Sequence, residues 1–363
     1  MRLPFRIFLI LLCALLIVSM PFFLSSPTAV YVNHEESLED ETETDEGEEL
    51  DFGRLFFPGA LAEQTDSALE VSEADDPFST SDNLTIPDEW KLPIDFSIPP
   101  MPDPDKFTEN GYEDRSIRVR IETYEIYDSS VHAAFVEVAD ASQLRTATAY
   151  GIKSKRTLKM YNIAKQNNAV IAMNGDLFVE KEEKKRFEVR MTEVIPKRNK
   201  TSNAKDTLII DQNGDFHLFV LSDGMKEYVQ EHGSEIVNAF MFGPALVIDG
   251  KINTHEKYDY DRAGRTARSA IGQTGPLCYV MVVVEGRGKS KGVSHEQLAE
   301  IMLEFGCIYA YNLDGGNTAE MIMIGADPDN VSFHVKGDQT AVEYRSQSDI
   351  IFFATAVPET ERE

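Results

Sequence analysis

Four short stretches set residues able to do chemistry beside glycines. Asn174-Gly175-Asp176 follows the apolar run AVIAM, and Arg268 lies in ARSAIGQTG. Glu285-Gly286-Arg287 closes the run LCYVMVVV. Asp314-Gly315-Gly316 closes CIYAYNL, with Thr318 a few residues on. Carboxyl groups move protons or face developing positive charge. Arginine grips phosphate or carboxylate with a two-pronged fork. Glycine lets the chain turn sharply and bring its N–H groups close to a ligand. Each residue also has a plain use: an Asp or Asn that shapes its own turn, or an Arg in a structural ion pair.

These residues need strand ends to hold them. Ile117, Val119 and Ile121 alternate with charged residues, which predicts a half-buried strand. Further strands are predicted at 131–138, 169–173, 186–194, 207–211, 216–220, 237–248, 277–286, 307–314 and 349–354, and helices at 154–166 and 294–305. In the second helix Ser294 and Gln297 make a capping box, Leu298, Ile301, Met302 and Phe305 share a face, and Gly306 ends it. Strand 277–286, this helix and strand 307–314 read as a right-handed crossover between parallel strands. Glu285 and Asp314 would then meet at one sheet edge, where ligands of open sheets bind, and Asp176 could join them.

The chain has 363 residues and a net charge of −27, unevenly spread. Residues 33–110 hold 24 Asp/Glu against three Lys/Arg, leaving −8 for residues 111–363. No basic face for nucleic acid is present. Residues 33–51 cannot bury enough apolar surface to fold, and residues 86–104 are Pro-rich, so 33–110 reads as a disordered acidic linker with a docking role at Trp90 and Phe96 as the sharper alternative. The uncharged run Ile7–Leu24 follows Arg2 and Arg6. Its length of about 27 Å in helical form makes 1–32 a signal anchor, favoured over a cleaved signal, with the rest extracytoplasmic. Cys278 and Cys307 read as buried thiols rather than a bridge. No zinc spacing occurs among the histidines. No cofactor is assigned, and a hard divalent cation such as Ca²⁺ on Asp176, Asp314 and nearby carbonyls stays open.

The motifs together resemble the phosphodiester glycosidase family. AMNGDLF (172–178), FGPALVIDG (242–250), ARSAIGQTG (267–275), VVVEGRGKSKGVSHEQLAEIM (282–302) and NLDGGNTAEM (312–321) follow the family's order, over roughly residues 115–355. Ala267, Ser269, Glu285 and Asn317-Thr318 depart from its usual residues. The resemblance implies cleavage between an anomeric carbon and a phosphate oxygen, through an oxocarbenium-like transition state served by two carboxyl groups. It implies Asp314, Glu285 and Asp176 as catalytic candidates. Arg268, Arg287, Asn174, Gly315, Gly316 and Thr318 are implied as substrate-binding, with Arg268 the leading phosphate clamp.

The expected architecture is α+β: a mixed β-sheet with packed helices, a phosphodiester glycosidase-like domain at 111–363. The expected function is extracytoplasmic hydrolysis of a sugar-1-phosphodiester in a cell-surface glycan or glycolipid, the partners being that carbohydrate and the membrane. The alternatives are a non-catalytic domain of the same fold that binds and assembles polysaccharide, and a hydrolase of other phosphodiesters built on a metal cluster.

Overall fold

The computed structural model describes residues 84–176, 187–195, 205–253, 264–325 and 331–362. By its contacts the chain divides into Met1–Glu70 and Val71–Glu363, and the fold below belongs to the second unit. The anchor at 1–32 and the acidic run at 33–51 lie outside the described residues. Within them, no helix is long and apolar enough to cross a membrane.

Strands dominate and helices are few. A nine-stranded sheet is built around the long pair Ile117–Ile126 and Ser129–Val138, followed by Cys278–Val284, Arg268–Gly275, Tyr309–Asn312 and Ala245–Ile248. A five-stranded sheet carries Glu320–Met323, Ile171–Asn174, Asp349–Phe353 and, at one edge, Leu144–Thr148. A second five-stranded sheet includes Thr207–Asp211, Ile236–Phe240 and Val189–Arg190.

Period-two alternation sorts the side chains. Ile271, Tyr279, Met281, Val283 and Tyr311 of the large sheet meet Ile171, Met173, Met321 and Ile351 of the first small sheet in one core. On the large sheet's other face, Ala270, Val280 and Val282 pack under Leu298, Ile301 and Met302 of helix His295–Glu304. Helix Met160–Gln166 covers the outer face of the small sheet.

Several expectations are met. Helix 295–304 carries the Ser294–Gln297 capping box. Strands 278–284 and 309–312 are parallel, because each pairs antiparallel with strand 268–275 lying between them. Cys307 is a buried thiol, as expected, whereas Cys278 is only half-buried. Others need correction. Every ladder among the described residues is antiparallel, so the sheets are not mixed at the level of neighbouring strands. The run 237–248 breaks in two: Ile236–Phe240 and Ala245–Ile248 belong to different sheets, with Gly243 at φ +75° between them.

The stretch 84–110, expected as part of the linker, is packed on the domain. The buried Arg145 guanidinium donates to the carbonyls of Pro93, Asp95, Ser97 and Ser142. Leu92 is buried and its N–H bonds Ser142 Oγ at 3.0 Å; Asn168 donates to the Pro99 carbonyl at 2.8 Å. Arg115 lies 4.5 Å over the Trp90 ring. Proline and acidic residues argue against an independent fold, but here a neighbouring buried arginine satisfies their carbonyls. A chain started at residue 111 is expected to lose several kcal/mol relative to one started at 84, at about 1 kcal/mol per bond lost, with Arg145 left only the Ser142 carbonyl of its four. Thermal melts of the two test this, and equal midpoints would show that the strap adds nothing.

Candidate active site

The large sheet ends where the site begins. Strand 268–275 starts between the ends of its neighbours, with Arg268 opposite Val284 and Ala270 opposite Asn312. Glu285, Arg268 and Asp314 therefore share an edge, while alternation decides where each side chain goes.

Asn174 ends a strand of the opposing sheet. It is fully buried, and its Nδ2 donates to the carbonyls of Asp314 at 2.8 Å and Gly175 at 2.9 Å and reaches Ser269 Oγ at 3.1 Å. Its Oδ1 accepts from the Glu320 N–H. Ser269 Oγ also donates to the Asp314 carbonyl, at 2.9 Å. Asn174 thus joins the two sheets at Asp314 and positions the loop. The glycines serve close approach: a Cβ on Gly175 would stand 2.4 Å from the Asp349 carboxylate, and one on Gly315 2.8 Å from the Ala267 carbonyl. Gly316 adopts φ +60°, a left-handed turn that favours glycine.

Asp314 and Asp176 line one cleft of about 310 Å³ with Thr318, Arg345, Ser346 and Ser348. Each of the two aspartates has a buried Oδ2 with no hydrogen-bond partner among the described residues. Burial pushes the Asp314 carboxyl above its usual range; the Thr318 hydroxyl and Arg345 oppose that rise and Asp176 adds to it. Arg345 is exposed and donates from Nη1 to Thr318 Oγ1 at 2.8 Å.

Beneath the cleft lies a buried ionic cluster. Arg190 reaches Asp176 Oδ1 at 2.7 Å, Asp349 Oδ2 at 2.8 Å and Glu188 Oε2 at 3.3 Å, and its guanidinium lies 4.0 Å from the Phe240 ring centre. All four charged side chains are essentially inaccessible. Burial pushes Asp349 up to about 7, with Arg190 pulling down and Asp176 pushing further up.

The other candidates lie elsewhere. Arg268 is on the helix face of its strand, like Ala270, whereas Ser269 faces the cleft side. Its guanidinium, 6% exposed as a residue, donates to the carbonyls of Val293 and Gly264 and meets His295 Nε2 at 2.9 Å. Burial, with Arg287 nearby, lowers it to about 10. The expected clamp is thus directed to the start of helix 295–304. Glu285 likewise turns away from the cleft, bonding His132 Nε2 at 3.0 Å and Ser290 Oγ at 3.2 Å. Arg287 pairs with Asp338 at 2.9 Å, on the Gly316 side of the 314–318 loop. The structure therefore brings together Asp176, Asp314, Thr318 and, as support, Asn174, Gly175, Gly315 and Gly316, but not Arg268, Glu285 or Arg287. Arg268→Lys, which keeps charge but loses the fork, is expected to lower stability by about 1–3 kcal/mol through unmet carbonyls. Denaturant titration reads this, and unchanged stability with lost turnover would return Arg268 to the site.

Sequence reasoning missed Arg190, Asp349 and Arg345. The signal for the first was present: Glu188 and Arg190 are opposite charges on one face of the apolar run FEVRM. Among the described residues, no group of three or more His, Cys, Asp or Glu side chains is arranged to hold a metal ion.

With this geometry in hand, the comparisons define a class. The phosphodiester glycosidase family matches residues 167–353, and the chain belongs to that family. The prophage-derived uncharacterized protein YomE of Bacillus subtilis strain 168 is 34% identical over 97 residues, a match covering 26% of this chain and 15% of that protein's length. The catalytic domain of zebrafish N-acetylglucosamine-1-phosphodiester alpha-N-acetylglucosaminidase, auto-inhibited by its pro-peptide, shares the fold at TM-score 0.50 and 15% identity, over 66% of this chain and 83% of that one. A hypothetical protein from Synechocystis aligns at TM-score 0.43 and 14% identity, over 65% and 62% of the two chains.

Proposed function

We propose that this chain hydrolyses a sugar-1-phosphodiester in a cell-surface glycan or glycolipid, outside the cytoplasm, with Asp314 and Asp176 as its working carboxyl groups. The observation that carries the reading is the pair of buried, unpartnered Oδ2 atoms on one cleft with Arg345 at its wall. A carboxyl pair in unlike surroundings divides the roles. Asp314, whose burial favours its neutral form, gives a proton to the departing phosphate oxygen as the anomeric C–O bond breaks; water then adds to the anomeric carbon and returns a proton to Asp314. Asp176, shut from solvent and counter-charged by Arg190, acts from beneath the cleft, lending negative charge to the positive charge that develops at the anomeric carbon. Arg345 and Thr318 hold the phosphate oxygens, the task first given to Arg268. The apolar run behind Arg2 and Arg6 supports the placement outside the cytoplasm.

The experiment is sugar release from a panel of sugar-1-phosphodiesters, with and without chelator. An acid that must be protonated is active below its pKa, so kcat/KM should fall as pH rises through the raised Asp314 value. Thr318→Val and Arg345→Met remove influences that lower that value, so both should move this limb to higher pH. Arg345→Met should also raise KM at least about tenfold through the lost charge-assisted bonds. Binding of the panel without release would favour a non-catalytic glycan-binding domain, and activity lost to chelator would bring in a cation.

A further inference from the structure

We propose that the groove between Phe96–Ile98 and Tyr150 is a saccharide subsite holding the glycan that continues from the sugar-1-phosphodiester, which rests on the function proposed above. The groove, about 660 Å³, is lined by Phe96, Ile98, Tyr150, Lys153, Asn167 and Glu193. It shares a wall with the cleft. Thr148 pairs with Asp349, and the Ala149 N–H bonds the Ser348 carbonyl at 2.9 Å. Ser348 and Thr157 line the cleft, while residues 147–153, which pair beside 349–350 and lead on to Thr157, line the groove. A diester has a second half that must leave the smaller cleft, and this wall gives it a path.

The lining suits a sugar chain. Ile98 is 63% and Tyr150 44% exposed, and Arg156 lies 3.8 Å from the Tyr150 ring centre, bracing an aromatic platform. Aromatic and aliphatic surface receives the C–H faces of pyranose rings, while Asn167, Lys153 and Glu193 offer donors and acceptors for hydroxyls. One cation against one anion suits a neutral chain better than a polyanion, and charged walls suit it better than a lipid. The ledge is also built rather than incidental. Arg145, 1% exposed, donates to the carbonyls of Pro93, Asp95 and Ser97, and so holds Phe96 and Ile98 over the groove. Half-buried Phe96 and exposed Ile98 are thereby held at the edge of the groove.

The test is calorimetric and saturation-transfer NMR titration of the full chain with cellotetraose, chitotetraose and maltotetraose. At least one should bind, and Tyr150→Ala and Ile98→Ser, both at exposed positions, should each weaken it about tenfold through lost ring and aliphatic contact. Circular dichroism confirms that the variants fold. No binding by any of the three, binding indifferent to both substitutions, or binding only to phosphatidylcholine vesicles would overturn the subsite. Because binding needs no turnover, the two readings fail separately. Binding without hydrolysis of any sugar-1-phosphodiester removes the catalytic reading and leaves the subsite, and hydrolysis without binding does the reverse.

Discussion

Asp314→Asn is expected to cut kcat on a sugar-1-phosphodiester by a hundredfold or more, on the order of what losing a general acid or a charge-stabilising group costs, while leaving the fold intact. The amide preserves size and turn geometry, and the Asp314 carbonyl bonds to Asn174 and Ser269 are backbone contacts that the substitution does not touch. Stability should move the other way from activity. A carboxyl whose folded pKa is raised binds its proton more tightly folded than unfolded. It therefore loses stability as pH rises from the ordinary carboxylate range through the raised value. The Asn variant escapes that loss, so at pH 8 its melting point should equal or exceed that of the native chain. A diester with a more acidic leaving phosphate should lose less, since it needs less proton assistance. A variant with full turnover would end the catalytic assignment. A variant that melts early would make Asp314 a structural residue.

What the sequence disclosed about this site, and what it hid, follows from the range of each signal. Alternation and capping are local, so the strands flanking 285 and 314 and the helix 295–304 were legible, and with them the sheet edge that carries Asp314. Side-chain direction at that edge is also local in principle. Ala270 reads as apolar and helix-facing, which by parity sends Arg268 the same way and Ser269 to the cleft, yet the pull of an arginine beside glycines outweighed that count. Arg190 and Asp349 lie 159 positions apart in sequence and meet only through pairing of separate sheets. Arg345 stands in a segment without periodicity, so no pattern pointed to it. The strap at 84–110 misled for a related reason. Its composition describes a chain that cannot fold alone, but its carbonyls are satisfied by Arg145, a residue some fifty positions away.

The largest stability effect should come from Arg190→Met. The substitution keeps most of the volume against Phe240 and removes the only charge that Asp176, Glu188 and Asp349 share among the described contacts. Replacing all members of a buried ionic cluster by apolar groups can be neutral, but removing one partner strands the others, at about 3–5 kcal/mol. Asp176 and Asp349 both bond this guanidinium, so the loss should fall in that range at pH 8. Its pH dependence identifies the cause. Asp349 is already raised to about 7 with Arg190 present, and without that guanidinium, which pulls it down, it should rise further. As pH falls, Asp349 takes up its proton in the folded state and the repulsion it exerts on its neighbours fades. The deficit relative to the native chain should therefore shrink between pH 8 and pH 5. Urea titrations at the two pH values measure it, with Arg190→Lys, which keeps charge without the fork, falling between. A deficit below about 1 kcal/mol, or one unchanged across that range, would mean that the cluster does not act as a charge balance. Asp176 would then hold its place in the cleft by packing alone, and the division of labour between it and Asp314 would lose its electrostatic basis.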